Sequence, residues 1–419
     1  MTRNSKPWTW RILLALLANV SIGVHGAYGE DWPQFLVPRR DGTFADARIL
    51  TEWPASGPKI VWRHQVGEGF GAPVIASGRL VIFHRRGNDD IVECLRADTG
   101  KSVWTFEYPT SYRDGYGKGD GPRATPAIVD GKVYTFGAQG FLYCIDFKTG
   151  KKVWFVDTAK TFRPGAKYFG VGTSPTVEGE LLLMNIGGKG SAGVVAFDAA
   201  SGTVVWKRSD HAASYSSPIV ATVRGERHAL FFARKGLIDL DPKTGSVRYE
   251  FAWGAPGATV NAATPVVVGD RVFLSTSYGV GATLLRIKDD GVEQLWKTND
   301  ALTNHYATSV FRAGFLYGFH GRQEPPGPEL RCIALEDGRV QWSTPAGLAG
   351  SVLLLGDRLV IAYENGELAV APASPKAFKE EARAKVLEPT VRAYPAFANG
   401  FLYVRDQSTL VCLDLRPKR

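Results

Sequence analysis

The stretch Cys144-Ile145-Asp146-Phe147-Lys148-Thr149-Gly150-Lys151-Lys152-Val153-Trp154 decides the fold. It reads as a strand, a tight turn and a second strand. Lys148-Thr149-Gly150 supplies the turn, with Gly150 free to take positive φ. The phrase recurs. Asp198-Ala199-Ala200-Ser201-Gly202 leads to Trp206, and Asp241-Pro242-Lys243-Thr244-Gly245 leads to Tyr249. Looser copies run from Asp98-Thr99-Gly100 to Trp104, from Asp290-Gly291 to Trp296 and from Asp337-Gly338 to Trp342. Such a period changes what every residue in it means.

Working outward, each unit opens on a small or polar residue, usually followed by Pro, and then an apolar strand. The openings are Ala72-Pro73, Thr125-Pro126, Ser174-Pro175, Ser217-Pro218, Thr264-Pro265, Thr308-Ser309, Gly350-Ser351 and Tyr394-Pro395, spaced 42 to 53 residues apart. Four short strands follow each opening. In the second unit they are 127–129, 133–136, 141–145 and 152–155, with Asp130-Gly131 and Gln139-Gly140 as turns. The spacing predicts an all-β chain: an eight-bladed β-propeller with four-stranded antiparallel blades. The last unit, 394–415, holds only three strands. The strand around Trp62, 59–66, is the missing fourth, so an N-terminal strand closes the last blade and removes an open edge. Unit seven has three clear strands. Its stretch 374–387 is charged and rich in Ala and Lys, reads as irregular with a helical turn, and carries Val386 where Trp is expected.

The recurring Trp62, Trp104, Trp154, Trp206, Trp296 and Trp342 are expected to wedge between neighbouring blades. At ~25 cal/mol per Å² of apolar area, each contributes a few kcal/mol to the fold. The expected organisation is a signal peptide over 1–29, an irregular lead-in over 30–58 and the propeller over 59–417. Arg3, Lys6 and Arg11 precede an apolar run from Ile12 to Ile22, and small residues flank the break after Gly29. That run is short for a bilayer, and no other stretch is apolar enough to cross one. An uncleaved anchor is the competing reading. Export to the periplasm or the extracellular space follows.

Formal charge is +9, falling to +6 once Arg3, Lys6 and Arg11 are removed. No dense Lys/Arg run suits nucleic acid, and the positive surface is read as solvated. Cys94, Cys144 and Cys332 each stand six residues before a turn Gly, and Cys412 falls in the same kind of strand. There is no CxxC. Equivalent positions in separate repeats are too far apart to bridge, so four buried free thiols are expected.

The phrase Asp-x-x-[Thr/Ser]-Gly-x-x-x-Trp, intact at Asp146–Trp154 and Asp198–Trp206, resembles the tryptophan-docking repeat of quinoprotein-type propellers over roughly residues 60–416. The opening Asp31-Trp32-Pro33-Gln34-Phe35, with Pro38 and Asp41-Gly42, resembles exported members. The family includes dehydrogenases that use pyrroloquinoline quinone and non-catalytic relatives such as the BamB-like scaffold of outer-membrane protein assembly. The dehydrogenase branch implies a hard-cation site of Glu, Asn and Asp oxygens, an Asp base, and adjacent cysteines over the cofactor. This chain has no Cys-Cys pair and is shorter than those enzymes. The expectation is therefore an exported, non-catalytic scaffold that binds an envelope or secreted protein as a monomer. No catalytic, cofactor-binding or metal residue is assigned. The alternative is a dehydrogenase of alcohols or sugars that uses pyrroloquinoline quinone with Ca²⁺.

Asp98, Asp130, Asp146, Asp198, Asp241, Asp270 and Asp290 all sit in hairpin turns, where hydrogen bonding to the turn accounts for them. Gly187-Gly188-Lys189-Gly190-Ser191 lies between strands and opens no helix, so it lacks the mechanism of a phosphate loop. The histidines are scattered. One constellation carries a binding hypothesis. Links from each outer strand to the next inner strand emerge on the same face as the turns between second and third strands. Two links are long, and bring Tyr112, Arg113, Tyr116 and Arg123, then Arg163 and Tyr168, to that face. Arg85, Arg234, Asn304, His305, Tyr306 and Arg322 join them. The expectation is a basic, aromatic rim around a central funnel, made of residue types that anchor protein interfaces.

Overall fold

In the computed structural model, the described residues are Met1 and 31–417, apart from 38, 166–168, 256–258 and 346. The signal segment expected over 1–29 lies, Met1 aside, outside them. Eight sheets are present, as the repeat predicts. Blades 1 to 7 occupy 74–109, 127–157, 176–208, 219–252, 266–298, 310–343 and 350–385, and blade 8 starts at 396. Lys59–Gln65 pairs antiparallel with Thr409–Asp414 and supplies the outer strand of blade 8. The stretch read as irregular in blade 7 instead contains a strand, Ala382–Lys385, paired with Glu367–Pro372. Arg383 bridges Glu367 at 2.9 Å and Glu380 at 2.7 Å, which holds this short polar strand in place.

Each docking Trp belongs to one blade and seats on the next. The Trp104 indole donates to the Phe147 carbonyl at 3.0 Å, and Trp154 donates to Ala199 at 3.1 Å. Across the closing seam, Trp62 donates to Ala97 at 3.0 Å. The ring lies flat under the turn glycine: a Cβ on Gly150 would stand 2.7 Å from the Trp104 indole. Asp146 Oδ1 accepts from the Thr149 amide at 2.8 Å and its hydroxyl at 2.6 Å, so the acid closes the turn. One residue before each Trp, and before Tyr249, the ladder slips by a bulge. The bulge turns the aromatic toward the neighbouring blade. Blade 7, with Val386, has none. Cys94, Cys144, Cys332 and Cys412 stand directly across the ladder from a docking Trp. All four are free and buried, and burial pushes each thiol up to about 12.

Small polar residues at the unit openings link blades around part of the bore. The Ala72 amide donates to the Thr125 hydroxyl at 3.0 Å, Thr125 to Ser174 at 2.9 Å, and Ser174 to Ser217 at 2.9 Å. Thr264 donates to Thr308 at 2.9 Å, and Thr308 to the Tyr394 hydroxyl. Replacing Ser174 with Ala strands the buried Thr125 amide, so urea unfolding should show a loss of about 1–3 kcal/mol.

The lead-in enters the bore as a hairpin. Trp32 exchanges backbone hydrogen bonds with Ile75 of blade 1, and the Pro33 carbonyl accepts from Ile128 of blade 2. The chain turns back at Leu36, Val37 and Arg40, all at positive φ, and Thr43–Phe44 then runs parallel to the inner strand of blade 7. Trp32, Leu36, Val37 and Arg40 are buried. Arg40 donates to Gln34 at 2.6 Å and to the Pro175 carbonyl at 2.9 Å. Burial lowers its pKa to about 9.

Candidate functional site

Inner strands begin just past Thr125, Ser174 and Ser217 and run to hairpins such as Ser77-Gly78 at the opposite face. The residues ahead of them therefore ring one mouth of the bore. A cavity of about 780 Å³ opens there. Its floor is Phe35, at the tip of the lead-in hairpin, packed edge-on against Tyr394 with ring centres 5.2 Å apart.

The wall of blades 5 to 8 is one hydrogen-bonded chain. Tyr278 meets His305 Nε2 at 3.1 Å, and His305 Nδ1 meets Gln323 Oε1 at 3.1 Å. Gln323 then donates to Glu364 at 3.0 Å. Glu364 also accepts from Tyr306 at 2.8 Å and from Arg392 at 2.7 Å. Gln323 spends its amide nitrogen on Glu364, so its oxygen accepts from His305. That places the imidazole proton on Nδ1 and leaves Nε2 to accept from Tyr278. Burial, reinforced by the Arg322 charge, lowers the His305 pKa to about 4, so the ring is neutral at neutral pH.

The arginines of the funnel stack on aromatic faces, and each has a carboxylate. Arg322 lies 4.2 Å from the Tyr278 ring centre and 2.6 Å from Glu324. Arg392 lies 5.7 Å from Tyr306. Arg123 packs on Tyr112 at 5.1 Å, donates to the Gly119 carbonyl at 2.7 Å and has Asp114 3.7 Å away. Tyr116, Phe169 and Tyr215 form an aromatic run on the other wall.

Of the residues the sequence pointed to, Tyr116, Arg123, His305, Tyr306 and Arg322 line the cavity, and Tyr112 supports Arg123 from behind. Arg85 is buried and donates to the Tyr112 carbonyl at 2.9 Å and to the carbonyls of Asp120 and Thr110, pinning the long link rather than facing a ligand. Asn304 is buried and donates to the Phe319 carbonyl at 2.9 Å. Arg234 donates to the Thr259 carbonyl. Arg113 is exposed and donates to Asn88 at 2.6 Å. Arg163 is exposed at the end of the five-residue helix Thr158–Phe162. Tyr168 lies outside the described residues. Sequence reasoning missed Phe35, Phe70, Tyr278, Gln323, Glu324 and Arg392 in the lining, and Glu364 behind them. Six of these follow from the predicted topology, because they sit in second-to-third-strand turns or in links; Phe35 had no such signal.

Among the described residues, no group of three or more His, Cys, Asp or Glu side chains is placed to hold a metal ion. The two carboxylates nearest the funnel are already paired with Arg322 and Arg392, which does not suit a hard cation. Beneath the long link, Asp90 is buried and burial raises its pKa to about 7 against the pull of Arg85. The folded state therefore holds this proton more tightly than the unfolded chain between about pH 4 and pH 7. This group's contribution to stability should fall as pH rises through that window. Comparing melting temperatures at pH 5 and pH 8 should show a drop in the wild type that Asp90→Asn reduces.

A model of the family described as outer membrane protein assembly factor BamB matches residues 88–344. Tetrathionate hydrolase of Acidithiobacillus ferrooxidans is 25% identical over 290 residues, 68% of this chain and 48% of that protein. The chain spans about half or less of the length of the first curated relatives it matches. The structure of BamB from Moraxella catarrhalis superposes with a TM-score of 0.62 at 15% identity, covering 86% of this chain and 98% of that one. Quinohemoprotein alcohol dehydrogenase from Comamonas testosteroni gives 0.65 at 13% identity, covering 93% and 81%. At those identities the likeness is one of fold.

Proposed function

From the premise that the chain belongs to the family of β-propellers described as outer membrane protein assembly factor BamB, we propose that it is an exported, non-catalytic scaffold. It binds a protein partner of the cell envelope through the face that carries the funnel, as a monomer freed of residues 1–29. The observation that carries this reading is the makeup of the funnel. Aromatic faces and stacked arginines, each arginine beside a carboxylate, are the chemistry of an interface anchor. The fold likeness to an assembly factor and the N-terminal run read as an export signal point the same way.

A quinone-dependent dehydrogenase is the second reading, because a quinohemoprotein alcohol dehydrogenase shares the fold equally well. The paired funnel carboxylates weigh against its cation. The test uses the processed protein as bait against its own envelope fraction, in parallel with titration of pyrroloquinoline quinone and Ca²⁺. Retention of a discrete protein without dye reduction is expected. Cofactor-dependent oxidation of an alcohol or sugar would replace this reading with the second.

A further inference from the structure

We propose that the funnel receives an aromatic side chain carried on an extended segment of the partner protein; this rests on the protein-binding reading above.

The funnel is blind. Below Phe35 the bore is filled by Trp32, Leu36 and Arg40, so a chain cannot thread through it. What enters must be a side chain or a chain end. The volume, about 780 Å³, falls within the range of roughly 300–1,000 Å³ that takes compact ligands, and leaves room for backbone on either side of one ring.

The charge balance selects the group. Arg322 holds Glu324 at 2.6 Å, Arg392 holds Glu364 at 2.7 Å, and Arg123 has Asp114 3.7 Å away. At the arginines an anionic ligand would have to compete with carboxylates already in place, and a cation would meet three arginines and Lys118 at the rim. A neutral flat ring displaces neither. It meets the rings of Phe35, Phe70, Tyr278 and Tyr306, where aromatic contacts add to simple burial.

The site is also formed in advance. The run from Tyr278 through His305, Gln323 and Glu364 to Arg392 fixes the wall from blade 5 to blade 8 with no free rotor. Preorganised aromatic walls bind with little ordering cost.

The test is a selection of displayed random linear peptides on the processed protein. Enriched peptides should share one Trp, Tyr or Phe, and replacing that residue with Ala should cost at least about tenfold in affinity. Ala262→Trp, which fills the funnel while melting like the wild type, and Tyr278→Ala, which removes one ring, should each cost about as much. Lys243→Ala on the opposite face should bind unchanged. Enriched peptides without a common aromatic residue, or binding indifferent to both funnel variants, overturn the inference. Displacement of the peptide by pyrroloquinoline quinone at equal concentration does so too. The envelope pull-down separates the two levels: a partner retained by Ala262→Trp sinks this inference and spares the protein-binding reading. If the wild type retains none, the reading itself fails.

Discussion

Trp62→Ala should lower the free energy of unfolding by about 3–5 kcal/mol, the range for deleting a buried indole. The side chain sits in the strand that closes the ring, opposite Cys412, and its ring packs 5.9 Å from Tyr403. It donates to Ala97 across the seam and lies beneath Gly100 of blade 1. Nearby, His64 meets Glu93 at 3.1 Å across the same seam. Loss of the indole therefore loosens the joint between blades 8 and 1, where Lys59–Gln65 closes the ring. Urea unfolding and limited proteolysis should both report it, with early cleavage in blade 8. A loss below about 1 kcal/mol would mean that the seam holds without the aromatic wedge.

The second large effect is expected at Gly150. Gly150→Ala forces an L residue into φ +73 and drives a methyl group to 2.7 Å from Trp104. The first effect costs about 1–2 kcal/mol. The second adds about 1–3 kcal/mol of overpacking. Gly131 has φ +71 and nothing within 4 Å, so Gly131→Ala pays only the first. The difference between the two variants in denaturant unfolding isolates the indole contact. Equal losses would show that the glycine is needed for its backbone angle alone.

Much of the fold was legible because the repeat states its own geometry. Asp146, Gly150 and Trp154 each do one job, and the jobs recur in phase. The closing strand was legible from arithmetic: three strands at the end and one orphan at the start. The outer strand of blade 7 was not, because Ala382-Arg383-Ala384-Lys385 lacks β-forming residues and is held by ion pairs that only the fold assembles. The hydroxyl links were visible as Thr-Pro and Ser-Pro pairs, but their partners lie in the next blade. For the site, the face was legible and the individual roles were not. Arg85 is claimed by the carbonyls of its own loop, a demand that appears only once that loop is folded. Tyr278, His305, Gln323 and Glu364 lie up to 86 residues apart and meet across three blades. Phe35 was hidden for a different reason: nothing in Trp32-Pro33-Gln34-Phe35 says that this segment climbs the bore.

That climb fixes which way the molecule points. Asp31 accepts from the Ser77 amide, so Asp31 lies at the hairpin end, away from the funnel. A tag, a linker or a solid support coupled at that position leaves the funnel mouth facing the solution. Coupling through Lys118 at the rim would turn the same mouth against the support and mask it.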